Sequence, residues 1–501
     1  MKIRILCLTM MIPGMQHLCA QVTNVMIDNN FGPEEPSIAI NPVNPSVVVA
    51  GSNGDNYYYS NDGGATWITG ILSSSYGQQG DPCLVADSLG NLFYLHLAGT
   101  LDRIVCQASV DGGATYSNGS FAWNNNILLD DKEWGVTDPH TNNIYVTWTE
   151  YDEGFTPGPL DSSRVYFSKS TDHGVTFSSG VRINQVAGDC LYLDITDAHP
   201  FVGVNGEIYV TFMDSAGIRF NKSVDTGSSW LAVQPLIAAV GSMRYDTVPG
   251  VARIRSMPYS ACDRSNSLYR GNLYVSWADP RNGATNSDIF FIRSVDGGAT
   301  WSLPLKVNTD TSNRYQYRNA MTVDQTNGMI YIVYYDRRNY SGNDSTDVYL
   351  SKSSDGGATW TDVKLSSTGF YSAGIQFDGD YIDISAHGGM VRPVWTRTDN
   401  FSNSIWTCLY NEQTVGIPSV LSAGNDLHFT VNPNPADVVA VVSFAGEAGR
   451  LEGIILDASG RQVKSFSINH EREKRIDLYD LAAGVYFVKA GHEIKKLVIE
   501  K

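Results

Sequence analysis

The chain has 501 residues, 42% of them hydrophobic and only 17% charged, with 47 Gly, 27 Tyr, 18 Phe and 10 Trp. That content excludes a disordered chain and a single small core, and few charges among many aromatics favour strands over helix bundles, because rings fill half-buried strand faces. The formal charge of -17 lies in the middle of the chain, since residues 1–20 carry +2 and residues 430–501 sum to zero. So acidic a surface repels phosphate backbones, which argues against nucleic acid, and it suits a strongly anionic glycan only where arginines cluster.

At the N-terminus, Lys2 and Arg4 precede an apolar run from Ile5 to Ile12, and Leu18-Cys19-Ala20 ends on a small residue. This reads as a signal peptide over residues 1–20. The run is far short of the ~20 residues of a spanning helix, so no transmembrane segment is expected in the mature protein. A lipid anchor at Cys19 is disfavoured by the polar Gln16 three residues earlier.

From there to residue 360 one turn recurs six times: SNDGGATW (60–67), SVDGGATY (109–116), STDHGVTF (170–177), SVDTGSSW (223–230), SVDGGATW (294–301) and SSDGGATW (353–360). The aspartates Asp62, Asp111, Asp172, Asp225, Asp296 and Asp355 are spaced by 49, 61, 53, 71 and 59 residues, the size of one four-stranded blade with variable loops. Each carboxylate can accept turn amides, a following glycine supplies positive φ, and the closing aromatic packs on the blade. Short alternating strands precede each turn, such as Pro36–Ile40, Val47–Ala50 and Tyr57–Ser60 in the first unit. A seventh unit without the turn follows, at Tyr381–Ser385, Val391–Thr396 and Ile405–Leu409. The expected fold is an all-β propeller of seven blades over residues 21–425, with a strand near Val22–Asp28 closing the last one. Six blades with an accessory sheet is the alternative.

The mature segment keeps Cys83, Cys106, Cys190, Cys262 and Cys408, an odd number at wide spacings. That is no disulfide framework; Cys83 and Cys106 are the nearest pair, and buried free thiols are the simpler reading. After Asn432-Pro433-Asn434-Pro435 the pattern changes to a compact strand series that reads as a small β-sandwich over 426–501.

Two resemblances follow. The C-terminal segment resembles the type A sorting domain of the type IX secretion system of Bacteroidota, through NPNP (432–435), ILDASG (455–460), DLYDLAAGVYFVK (477–489) and KKLVIE (495–500). The resemblance implies passage through the periplasm, export across the outer membrane, and removal of the domain by the system's sorting peptidase, ending in surface attachment or release. The six turns resemble the Asp-box, or BNR, repeats of the sialidase superfamily over about residues 30–410. In that family the boxes lie at the blade periphery and mark architecture, so any site belongs to the central funnel.

Funnel candidates are the polar residues beside each inner strand: Glu34, Glu35, Asp81, Asp131, Lys132, Glu133, His199, Arg253, Arg255, Arg318, Asp380 and Tyr381. A second set follows the next strands: Glu150, Asp214, Asp279 with Arg281, Asp336 with Arg337, and Arg397. Repetition of an acid there also has a purely structural explanation, in holding a loop. A retaining sialidase needs arginines on the substrate carboxylate, a Tyr nucleophile activated by a Glu and an acid. The resemblance maps these onto Arg253, Arg255, Arg318, Arg337 and Arg392, onto Tyr381 with Glu133 or Glu150, and onto Asp81. The family's Arg-Ile-Pro motif is missing, because the first inner strand reads Glu34-Glu35-Pro36 and an acid there opposes an anionic sugar.

The reading is therefore a glycan-active protein, a glycoside hydrolase related to sialidases, acting on an extracellular glycan or glycoprotein. One alternative is a polysaccharide lyase using His140, His199, His387 or Tyr381. The other is a non-catalytic glycan- or protein-binding propeller with Trp123 and Trp134 stacking on sugars. No cofactor is called for. A structural Ca²⁺ in the acidic segment would be compatible, with no sequence pattern to place it.

Overall fold

The computed structural model describes residues 22–123, 128–152, 162–189, 195–241, 248–283, 285–371, 377–412, 429–444, 451–457, 462–490 and 493–501. The signal segment, Cys190 and most of the 457–460 turn lie outside these. The chain divides into two compact units, residues 1–413 and 414–501.

Among the described residues the first unit holds seven antiparallel sheets. In six of them, consecutive strands pair in chain order, and the strand leading each is innermost: Ser37–Ile40, Gly80–Ala86, Leu129–Thr137, Thr196–Val202, Tyr259–Cys262 and Gln316–Val323. The seventh runs Asp383–His387, Met390–Asp399, Ser402–Asn411, and its outermost strand is Thr23–Asp28 from the other end of the chain, with Thr23 opposite Leu409. Each inner strand touches the next sheet's inner strand, and Asp383–His387 touches Ser37–Ile40, so the ring closes in a propeller-like core. Second strands such as Ile144–Tyr151, Leu273–Asp279 and Ile330–Asp336 are buried along their whole length, because neighbouring sheets cover both faces.

The recurring turn joins the third strand to the fourth. In all six copies, the serine two residues before the Asp donates to Asp Oδ1 at 2.7–2.8 Å. The Thr or Ser four residues after it donates to Oδ2 at 2.5–2.6 Å. The position that demands glycine in every copy is the second after the Asp. Gly113, Gly227, Gly298 and Gly357 have φ of 80–89°, and a Cβ there would stand 2.3–2.4 Å from Val49, Phe167, Phe220 and Phe291 of the preceding sheet. The first position after the Asp tolerates His173 and Thr226 at positive φ. Each turn is thus a spacer wedged on its neighbour. The seventh unit has no such turn because its third and fourth strands are the two ends of the unit, with no connection to make.

Cys83, Cys106, Cys262 and Cys408 are buried free thiols. In the second unit, a sheet of Phe429–Asn432, Val439–Phe444 and Glu473–Asp477 and a sheet of Gln462–Ile468, Leu451–Asp457, Gly484–Ala490 and Glu493–Ile499 share one apolar core built on Phe429, Val442, Ile455 and Val488. Among the described residues no helix is long and apolar enough to cross a membrane.

Candidate active site

The inner strands start with charge held in an unusual backbone. Glu35, Asp81, Lys132, Asp197 and Arg318 all have left-handed φ, between 47° and 58°. For four of them the pairing with the second strand slips at that point, between Gly80 and Cys83, Asp131 and Trp134, Thr196 and His199, and Tyr317 and Ala320. Such a bulge re-aims a side chain, here at a cost on the order of 1 kcal/mol per non-glycine residue. Strain repeated at one level of five sheets marks that level as the place to seek function. Sheet five adds Arg253 and Arg255, and sheet seven adds Asp380 after Gly379, where a Cβ would meet Glu35 at 2.7 Å.

Lys132 is the hub. Its Nζ lies 3.0 Å from Asp81, 3.2 Å from Asp380 and 3.6 Å from Glu35, and the side chain is buried. Asp380 also takes Arg253 through two bonds, Nε at 2.7 Å and one terminal nitrogen at 2.5 Å, and Arg255 at 3.4 Å. Arg255 reaches Asp197 at 3.2 Å and donates to Thr196 at 2.8 Å. Asn53 braces the acids: its Nδ2 donates to Glu35 at 2.6 Å and Glu34 at 3.1 Å, while its Oδ1 accepts the Asp81 amide at 2.7 Å. Glu35, Asn53, Asp81, Asp131, Lys132, Arg253, Arg255 and Phe377 line a cavity of about 280 Å³. Arg253 lies half exposed over the Phe377 ring at 4.9 Å.

The acids in this cluster are driven apart. Burial pushes Asp131 and Glu34 up to about 7 and Glu35 well above the carboxylate range. Burial would raise Asp81 too, but the Lys132 ammonium and hydrogen bonds from Glu35 and Asp131 hold it below its ordinary value. Carboxyls in hydrogen-bond contact cannot all ionise. Of the three, Asp81 is the acid whose charge is favoured, and Glu35 and Asp131 are those whose protonated forms are favoured. Asp380 is likewise held low, by Lys132, Arg255 and Arg253 against the opposing effect of burial. Among the described residues no three His, Cys, Asp or Glu side chains are arranged to hold a metal ion; the Lys132 ammonium stands amid these carboxylates.

Of the residues expected from sequence, Asp81, Arg253 and Arg255 meet at this cavity. Arg318 supports it, pairing with Asp378 at 2.7 Å and donating to the Arg253 carbonyl at 2.8 Å. Glu133 is buried with neither carboxyl oxygen partnered among the described residues, and burial pushes it well above its ordinary value. Tyr381 is buried and turned away: its hydroxyl donates to the Pro82 carbonyl at 3.4 Å and its ring lies under Lys132 at 5.4 Å. It packs on Trp134, which also meets Tyr259 and His199. Trp134 is therefore part of an axial aromatic cluster, 5% exposed, and not a sugar platform on the surface. Arg337 donates to Pro249 and Thr346, away from the cavity. Arg392 sits at the periphery, with Nε on the Gly63 carbonyl at 2.6 Å, bracing the first turn. His199 and His387 line a separate cavity.

The second candidate set is paired locally. Trp277 and Arg281 both donate to Asp279, Arg219 to Asp214, and Arg164 lies 3.7 Å from Glu150. Asp336 pairs with Arg338 at 2.6 Å, where the sequence suggested Arg337. Sequence reasoning missed Asn53, Asp197 and Asp378. Asp197 was findable, since it precedes His199 by the two residues that separate Asp81 from Cys83; Asn53 comes from the loop after a second strand and carries no such signal.

Among curated proteins none matches the chain. Among solved structures, a sialidase from Trypanosoma rangeli with the inhibitor DANA superposes with a TM-score of 0.40 at 13% identity, covering 86% of this chain and 85% of that one. An α-L-arabinofuranosidase from Fusarium graminearum gives 0.42 at 15% identity, with 69% and 98% covered. YCF48 from Cyanidioschyzon merolae gives 0.41 at 12%, with 77% and 98% covered. At so loose a superposition, function has to come from the site's own groups. The C-terminal unit is better placed: residues 430–500 match the secretion system C-terminal sorting domain, so the chain carries such a domain and is addressed to secretion or surface attachment.

Proposed function

We propose that this is a seven-bladed Asp-box propeller, exported through the periplasm and trimmed of residues 1–20 and of its sorting domain, that hydrolyses a glycosidic bond in an extracellular glycan at the Lys132 cavity. The observation that carries this reading is the meeting of Asp81 and Asp131 with Lys132 at one cavity, with Asp81 held below its ordinary value and Asp131 raised to about 7. A general acid working near neutral pH requires such a raised value. Asp131 is the general acid on the leaving oxygen, and Asp81, in contact with it and so too near to flank the scissile bond as a separate nucleophile or base, holds and tunes that proton. Asn53, Glu35 and Lys132 fix Asp81, while Arg253 and Phe377 receive the sugar at the mouth.

The substrate is neutral at the cleaved unit. Lys132, Arg253 and Arg255 are already paired with Asp81, Asp380 and Asp197, leaving no unpaired cation for a sialic acid or uronate carboxylate. Tyr381 and Glu133 are positioning residues behind the wall in this scheme. A lyase would need its base beside a neutralising cation, and His199 does not line the Lys132 cavity. A non-catalytic glycan-binding role has one observation in its favour, the complete pairing of Lys132.

The test is reducing-end release from a panel of neutral and acidic polysaccharides by the mature protein. Turnover of a neutral glycan is expected, with Asp81→Asn and Asp131→Asn each lowering kcat at least 100-fold and Tyr381→Phe staying within threefold. Glycan binding without turnover would select the binding role, and full activity in Asp81→Asn would refute this assignment.

A further inference from the structure

We infer a second ligand site, for a small organic carboxylate with a flat apolar body, in the cavity at the opposite ends of the inner strands. This cavity, of about 430 Å³, lies beyond the aromatic cluster from the Lys132 site and has Trp134, His199 and Arg264 in its wall. It is large enough for a single-ring ligand.

Arg264 is the reason to assign an anion. Among the described residues it has no carboxylate within ion-pair distance, and its one side-chain hydrogen bond there goes to the Val202 carbonyl at 3.3 Å. Every other buried or half-buried cation at the Lys132 end is matched by an acid. Arg264 is half-buried, and burial pulls it below its ordinary value although Cys262 and Asp138 act the other way. Arg270, which donates to the Ser265 carbonyl beside it, also lacks an acid partner among the described residues, and with Asp263 held by Ser265 and Ser267 the two arginines leave this turn net positive. The acids lining the same cavity are already engaged. Asp87 accepts the amides of Leu89 and Asn91 and the Asn91 side chain. Asp383 accepts Ser37 and the Ile38 amide.

The apolar part of the ligand is argued from the rest of the wall. Trp134 presents an indole, and His199 is held uncharged, its value pushed down to about 3 by burial. Its Nδ1 is buried with no partner among the described residues. A ring can lie against these two while its carboxylate takes the bidentate fork of Arg264.

Phenylacetate and its neutral isostere phenylacetamide are the probes, read by ligand-observed NMR and calorimetry on the mature protein. Phenylacetate is expected to bind with a Kd of about 1 mM, and the amide at least tenfold more weakly. Arg264→Gln should level the two, and Arg264→Lys should keep part of the difference. Ala386→Phe, which fills the cavity from its wall without touching Arg264, should remove both. Absence of phenylacetate binding at 10-fold above the expected Kd would overturn the assignment, as would equal affinity for acid and amide. Should Arg264→Gln not fold, unchanged binding in Ala386→Phe overturns it equally. None of these readouts depends on turnover at the Lys132 cavity.

Discussion

The six peripheral turns and the axial cluster are both built on aspartates, and they treat those aspartates oppositely. At the periphery Asp62, Asp225, Asp296 and Asp355 are solvated and held at about 2 by hydrogen bonds from the Thr or Ser four residues on. At the axis Asp131 is half-buried and pushed up to about 7, while its neighbour Asp81 is held down by Lys132. One residue type at one repeated position, with one set of partners, is a structural device. Different charged residues at one repeated position, forced into one strained backbone, form a site. Repetition of sequence therefore pointed away from the chemistry, and repetition of geometry pointed toward it.

The largest effect expected on this contrast comes from Lys132→Met. Removing the ammonium leaves Asp81 buried with no cation and Asp380 with Arg253 and Arg255 alone, a loss of about 3–5 kcal/mol, to be read by chemical denaturation at pH 7. The sign with pH follows from the low values of Asp81 and Asp380. Their contribution is present above the unfolded carboxylate range and is lost as pH falls through their folded values. The gap between wild type and variant should therefore narrow below pH 4. An equal gap at pH 3 and pH 7 would mean that Lys132 acts by packing.

Next in size is the pH response of Asp131. Its raised value means that the folded state favours its proton, so that stability is full below the unfolded value and is lost as pH rises toward 7. Asp131→Asn keeps the shape and a donor toward Asp81 but never ionises. It should be more stable than wild type at pH 8 by up to about 4 kcal/mol, nearly equal to it at pH 4, and inactive at both. In the wild type kcat should fall as pH rises through about 7, when the acid loses its proton. A rate that climbs through pH 8 would assign the proton to another group.

The strand order, the closing strand at Thr23–Asp28 and the six turns were legible because each depends on local pattern: period-two alternation, a turn box, and an N-terminal strand left over. Asp81, Arg253 and Arg255 were legible because they stand at the start of inner strands. What could not be read was direction. Tyr381 and Glu133 occupy such positions too, yet their side chains lie behind the cavity wall, and Arg392, on a second strand, turns outward to Gly63. A bulge shifts the alternation by one residue, and nothing in the letters marks where a bulge falls. Asn53 and Asp197 matter through contacts that only the closed ring creates.

The smallest effect, and the sharpest control on the contrast, belongs to the periphery. In Asp355→Asn the amide oxygen can still accept the backbone of Ala358 and Thr359, as Oδ1 does now at 2.9 Å. The amide nitrogen cannot accept the Thr359 hydroxyl, which Oδ2 takes at 2.5 Å. One charge-assisted bond at a solvated site is lost, so the cost should be about 1 kcal/mol and activity should not change. Because the turns lie on different sheets and share no partner, Asp111→Asn combined with Asp355→Asn should cost the sum of the two within about 0.5 kcal/mol. At the axis additivity should fail: at pH 8 Asp131→Asn should gain more stability in the Lys132→Met background than in the wild type, since Asp131 then has no ammonium to offset its charge. An equal gain in the two backgrounds would mean that the axial charges are separate pairs, and the coupling of Asp131 to Asp81 and Lys132 would go with it.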